Sequence, residues 1–129
     1  MGVCVSTVTT AFGSSAAAYA YIGPPSHMSS ARILAASATI DGAASSAASS
    51  NITIIHTGSS HSSAEIATGA MADTSAKQVV KLTVNDTTAA ANAFTSTEIA
   101  KISLPALAAT NLAPVQIQIT WDENAITAA

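Results

Sequence analysis

Three histidines, His27, His56 and His61, with Glu65 near two of them, are the side chains best suited to hold a metal ion. No compact zinc motif surrounds them, and Cys4 has no cysteine partner. Histidines at strand ends are more simply turn residues. Serine is abundant enough that any Ser-His-Asp combination arises by chance, and no Gly-x-Ser-x-Gly elbow is present. Such triads are recognised by geometry, which spacing alone does not supply. The adjacent carboxylates Asp122 and Glu123 point to opposite sides of an extended chain, so they are poorly placed as an acid/base pair. Phosphate-cradling glycine loops are absent. Asn51-Ile52-Thr53 and Asn85-Asp86-Thr87 match glycosylation acceptors, read here as chance. Trp121, Tyr19 and Tyr21 could stack on a sugar, although Trp121 shares the phase of Val115, Ile117 and Ile119 and so reads as core. No residue is assigned a catalytic, cofactor or metal role, and the chain is read as a non-enzyme.

Charge points the same way. Charged residues make up 9% of the 129 positions, with net charge −3 and Arg32, Lys77, Lys81 and Lys101 as the only strong cations. Nucleic-acid binding needs a cluster of phosphate-neutralising cations, so that partner is not expected. Although 49% of residues are hydrophobic, no run of 18 or more is uninterrupted, and no membrane span or signal peptide is expected. A surface of Ser, Thr, Ala, Asn and Gln costs less to desolvate than a charged one, which suits packing against protein.

The elements that must position these side chains are short strands. Pro114 to Asp122 alternates strictly, with Val115, Ile117, Ile119 and Trp121 on one side and Gln116, Gln118 and Thr120 on the other. Pro114 stands at the entrance, where no ladder donor is required. Arg32–Ile40 is expected to be extended, with Leu34, Ala36, Ala38 and Ile40 in one phase, and Asp41-Gly42 as a turn. Further strands are expected at Asn51–His56, Lys77–Val84 and Ile99–Leu104, the last stopped by Pro105. Residues 62–71 fit a strand or a short helix equally. Residues 1–30, with their Ala/Ser run and Gly23-Pro24-Pro25, read as an N-terminal arm, with a short helix at 15–20 on alanine content alone. The opening Met1-Gly2-Val3-Cys4-Val5-Ser6 fits an N-myristoylation pattern, but alternation into a first strand or arm is the plainer reading. The expected architecture is all-β, an antiparallel β-sandwich or jelly roll, with an extended arm at 1–30 and a β-sandwich domain at 31–129.

The Arg-Ile-Leu-Ala-Ala-Ser-Ala-Thr-Ile segment from Arg32, the Asn-Ile-Thr-Ile strand with its Gly-Ser loop, the Val-Val-Lys-Leu-Thr-Val strand and the closing Val-Gln-Ile-Gln-Ile-Thr-Trp together resemble small capsid decoration (cement) proteins of tailed bacteriophages. The resemblance lies in layout from Ala31 onward and carries over no functional residue. It implies a virion structural protein, often trimeric, that binds the major capsid protein on the outside of the shell and reinforces it. The alternative keeps the fold and makes the chain a carbohydrate- or receptor-binding module of a tail, fibre or cell surface.

Overall fold

The computed structural model describes residues 3–11, 18–41, 51–57, 64–71, 77–84, 92–95, 97–105 and 114–123. They form nine strands: β1 (Val3–Ala11), β2 (Ala18–Ile22), β3 (Ser30–Ile40), β4 (Asn51–His56), β5 (Ala64–Ala70), β6 (Gln78–Val84), β7 (Phe94–Thr95), β8 (Ala100–Leu104) and β9 (Pro114–Asp122). Every pairing is antiparallel. The hydrogen-bonded order is β1-β9-β3-β6-β5-β4-β8-β2, with the two-residue β7 attached to β3.

This order has a simple origin. First strand pairs with last (β1 with β9), then β2 with β8, β3 with β6 and β4 with β5. The chain is one long antiparallel hairpin, rolled so that β3 also bonds β9 and β4 also bonds β8. A rolled hairpin of eight main strands is the jelly-roll topology. It divides into two half-sheets, β1-β9-β3-β6 and β5-β4-β8-β2. They are joined where Thr83 and Val84 of β6 pair with Thr68 and Ala67 of β5. The end strands β1 and β2 lie beside each other, so the sheet is nearly closed.

The interior is filled by the alternating positions that the sequence marks. Val115, Ile117, Ile119 and Trp121 are all fully buried, as are Ile52, Ile54, Ile102 and Leu104, with Val80 and Leu82 beside them. Burying each large apolar side chain is worth on the order of 1.5–3 kcal/mol, which fixes the faces that turn inward. Residues 64–70, left open between strand and helix, are strand β5.

Three features differ from the sequence reading. In β3 the phase changes partway: Ile33 pairs with Trp121 but Ala35 pairs with Thr120, leaving Leu34 as an extra residue. This β-bulge puts Ala31 and Ile33 inward before it and Ala36, Ala38 and Ile40 inward after it, while Leu34 drops out of the inward set. Second, the stretch expected as an arm supplies two strands of the sheet. Val3–Ala11 is paired with β9 along its whole length, and Ala18–Ile22 with β8. Cys4, Ser6, Val8 and Thr10 turn inward there and Val3 and Val5 outward. Third, the part of the 15–20 stretch that is described, Ala18 to Ala20, is extended and not helical.

Gly69 marks the seam between the half-sheets. A side-chain carbon there would lie 2.8 Å from the Lys81 carbonyl oxygen and 3.0 Å from a Val80 methyl. Only glycine lets β5 approach β6 this closely.

Candidate functional site

The side chains with chemical potential fall into one interior cluster and two outer faces. The interior cluster is built by β4, β7, β9 and the segment preceding β7. His56 ends β4 facing inward and is fully buried. Its Nε2 lies 2.8 Å from the Ala93 carbonyl oxygen. A carbonyl can only accept, so Nε2 carries the proton and donates. Glu98 Oε1 lies 3.8 Å from the same nitrogen. The imidazole stacks on Phe94, with ring centroids 4.2 Å apart and planes 21° apart. Phe94 meets Trp121 edge-on at 5.2 Å. Beside them, Asn92 uses its side-chain amide to bond both backbone groups of Ile33. Arg32 and Asp122 form a half-buried ion pair at 3.3 Å across the β3–β9 register.

This cluster ties the short β7 segment to the barrel. Its histidine faces packed rings and a carbonyl in an arrangement built for packing. The other residues weighed as metal ligands lie elsewhere: His27 is exposed in the turn before β3, Glu65 points outward from β5, and His61 is outside the described residues. Among the described residues no three His, Cys, Asp or Glu side chains come together as a metal site. Asp122 closes β9 in its ion pair with Arg32, and neighbouring Glu123 follows the strand. The Asn85-Asp86-Thr87 acceptor and the Gly-Ser loop after Thr57 lie outside the described residues.

The outer face of β1-β9-β3-β6 has nearly uncharged central rows, with the Arg32–Asp122 and Lys77–Asp41 ion pairs at its two ends. Registers across it give the rows Thr7–Gln118–Ser37–Lys81 and Thr9–Gln116–Thr39–Val79, with Val5–Thr120–Ala35 alongside. Lys81 is the lone charge in these rows. Val3, Val5 and Val79 stand more than half exposed, which is unusual for β-branched apolar side chains. Two open recesses indent the face. One, of about 320 Å3, lies over the bulge between Ala35, Lys81, Gln118 and Thr120. The other, of about 360 Å3, lies between Thr9, Thr39, Gln116 and the Lys77–Asp41 ion pair.

The outer face of β2-β8-β4-β5 has a different character. Its rows are Tyr19–Ser103–Thr53–Thr68 and Tyr21–Lys101–Ile55–Glu65. Both tyrosines are exposed, and the Lys101 ammonium sits 4.1 Å from the centre of the Tyr19 ring. Thr53 and Thr68 bring their hydroxyls to 3.5 Å.

No family model, curated protein or solved structure matches this chain. The two faces are thus read on their own chemistry. Sequence reasoning singled out Trp121, Tyr19 and Tyr21 as aromatics, and the structure separates them: Trp121 is in the core and the tyrosines are outside. Asn92 and Phe94 carried no sequence signal of their role, because the element they anchor is two residues long.

Proposed function

We propose that this chain is a virion structural protein that binds the outside of a bacteriophage capsid and stabilises it, acting as a homotrimeric decoration protein on the major capsid protein. The observation that carries this reading is the outer face of β1-β9-β3-β6. Its central rows form an almost uncharged surface of Thr, Gln and Ser, with exposed valines at the edges and charges at the ends held in ion pairs. Such a surface loses little on desolvation and gains apolar contact at its rim, which suits a repeated protein–protein contact. Many weak contacts on a symmetric shell then add through multivalency. Jelly rolls serve in both capsid and lectin domains, so the fold permits this role without assigning it.

The test is the copy number of the polypeptide in purified particles from its source, measured by quantitative mass spectrometry. A count comparable to the major shell subunit is expected. A handful of copies per particle, or none, overturns the decoration role.

A further inference from the structure

Tyr19 and Tyr21 occupy alternate positions of β2, the last strand of the hydrogen-bonded path, and are 48% and 56% exposed. Alternate residues of a strand project from one face about 7 Å apart, so the two rings form a pair along the edge. Both rings stand outside the core, Tyr19 against the Lys101 ammonium, and together they give this edge an aromatic surface with a polar tip suited to contact. The groups around them are hydrogen-bonding ones. Ser103 stands opposite Tyr19, Lys101 opposite Tyr21, and Thr53 continues the row on β4.

From these we infer that the outer face of β2, β8 and β4 is a saccharide-binding platform that takes an uncharged oligosaccharide across Tyr19 and Tyr21. The C–H face of a pyranose ring is apolar and its rim is hydroxylated. The exposed Tyr21 ring, the part of the Tyr19 ring that the Lys101 ammonium leaves uncovered, and the neighbouring hydroxyls of Ser103 and Thr53 supply the matching surfaces. An uncharged ligand fits the charge pattern. Lys101 is the one charged side chain in these rows of β2, β8 and β4, and its ammonium is turned onto the Tyr19 ring. The Glu65 carboxylate at the β5 end of the row disfavours a polyanion. The platform is also preorganised. The Lys101 ammonium over the Tyr19 ring restrains that ring by a cation–π contact while retaining N–H donors for a ligand hydroxyl. The site lies on the opposite half-sheet from the proposed capsid-binding face and does not rest on the virion role.

The experiment titrates the full chain with soluble cellohexaose, maltohexaose and chitohexaose, and with hexagalacturonate as an anionic counterpart. Because the chain has only two tyrosines, their ring signals in the aromatic carbon–proton NMR spectrum are assigned by the loss of one set in each of Tyr19→Phe and Tyr21→Phe. The expected result is a shift of the Tyr19 and Tyr21 ring signals with at least one neutral hexasaccharide. Kd should weaken about tenfold or more in Tyr21→Ala and stay within about threefold in Tyr21→Phe. Lys101→Gln, which keeps the donor but removes the ring contact, should weaken it by a smaller factor. Both tyrosines are exposed, so thermal unfolding of these variants should match the parent. The inference is overturned if no neutral hexasaccharide shifts either ring, if hexagalacturonate binds more tightly than all of them, or if binding survives in the Tyr19→Ala/Tyr21→Ala double variant. None of these outcomes bears on particle copy number, so the two proposals fail separately.

Discussion

The side chain of Asn92 pairs with the backbone of Ile33 as though it were another strand. Its Oδ1 accepts from the Ile33 N–H and its Nδ2 donates to the Ile33 carbonyl, each at 2.8 Å. The pair extends the β3–β7 ladder beyond Ala31–Phe94, just before the Leu34 bulge. Both groups are buried, and an unpaired buried backbone group costs about 1–3 kcal/mol. Asn92→Ala should therefore destabilise the fold by about 2–5 kcal/mol, read as a lowered denaturant midpoint at unchanged slope. Asn92→Asp keeps the acceptor for the Ile33 N–H but turns a carboxylate toward the Ile33 carbonyl. Burial there raises the carboxyl's folded pKa, so Asn92→Asp should regain stability as pH falls and the acid again donates. A pH-independent Asn92→Asp would show that the amide does not hold Ile33 in this way.

His56 joins a ring stack to a hydrogen bond, and two substitutions separate them. His56→Phe keeps a ring against Phe94 but leaves the Ala93 carbonyl without that donor, at a cost of about 1–3 kcal/mol. His56→Ala loses both and opens a cavity beside Phe94 and Trp121, at about 3–5 kcal/mol. Chemical denaturation should rank Ala below Phe. The reverse order would mean that the rings collapse to fill the space.

At the β3 bulge, composition and register can be tested apart. Leu34 is partly exposed, so Leu34→Ser should cost about 1 kcal/mol or less. Removing the residue is another matter. Without the bulge, Ala31 and Ile33 lose their inward phase and the half-buried Arg32 turns toward the core. Deletion of Leu34 should cost more than about 4 kcal/mol or abolish cooperative unfolding, as seen by calorimetry.

The same bulge shows what the sequence carried and what it did not. β9, β6, β4 and β8 are legible as runs rich in β-branched and apolar residues bounded by turn signals, and in β9 the side expected to face the core, Val115 to Trp121, is the buried one. In β3 the alternation is legible but the bulge is not, since an extra residue leaves no mark in a segment where alanine stands on both faces. The opening segment reads as a first strand or arm because its alternation does not say which side is buried. Val3 and Val5 face outward while Cys4, Ser6, Val8 and Thr10 face inward, so apolar and polar residues stand on both sides of the strand. For the candidate sites, the two tyrosines were visible as residue types. Their shared face with Lys101 depends on the pairing of β2 with β8, some 80 residues apart in the chain, which no local pattern encodes.

Gly69 sits where the two half-sheets meet, and its substitution should loosen that seam. A methyl group would lie 2.8 Å from the Lys81 carbonyl oxygen, a backbone atom that cannot swing away as a side chain would. Gly69→Ala should cost about 1–3 kcal/mol through the forced separation of β5 from β6. Amide exchange at Thr83 and Val84, which hold the pairing across the seam, should speed up more than exchange within β9. Uniform acceleration across all strands would place the strain elsewhere.

The proposed capsid contact predicts that charge placed on the β1-β9-β3-β6 face damages binding without damaging the fold. Thr9 and Gln118 are exposed on two different rows of that face. Thr9→Glu and Gln118→Glu should each change stability by about 0.5 kcal/mol or less. A carboxylate buried against a neutral partner surface keeps its desolvation cost uncompensated, so each should weaken co-sedimentation with purified shells about tenfold or more. Tyr21→Ala, on the opposite half-sheet, should leave shell binding unchanged. Full shell binding by both glutamate variants would remove this face from the contact. Loss in Tyr21→Ala instead would transfer the contact to the tyrosine face, where it would compete directly with saccharide.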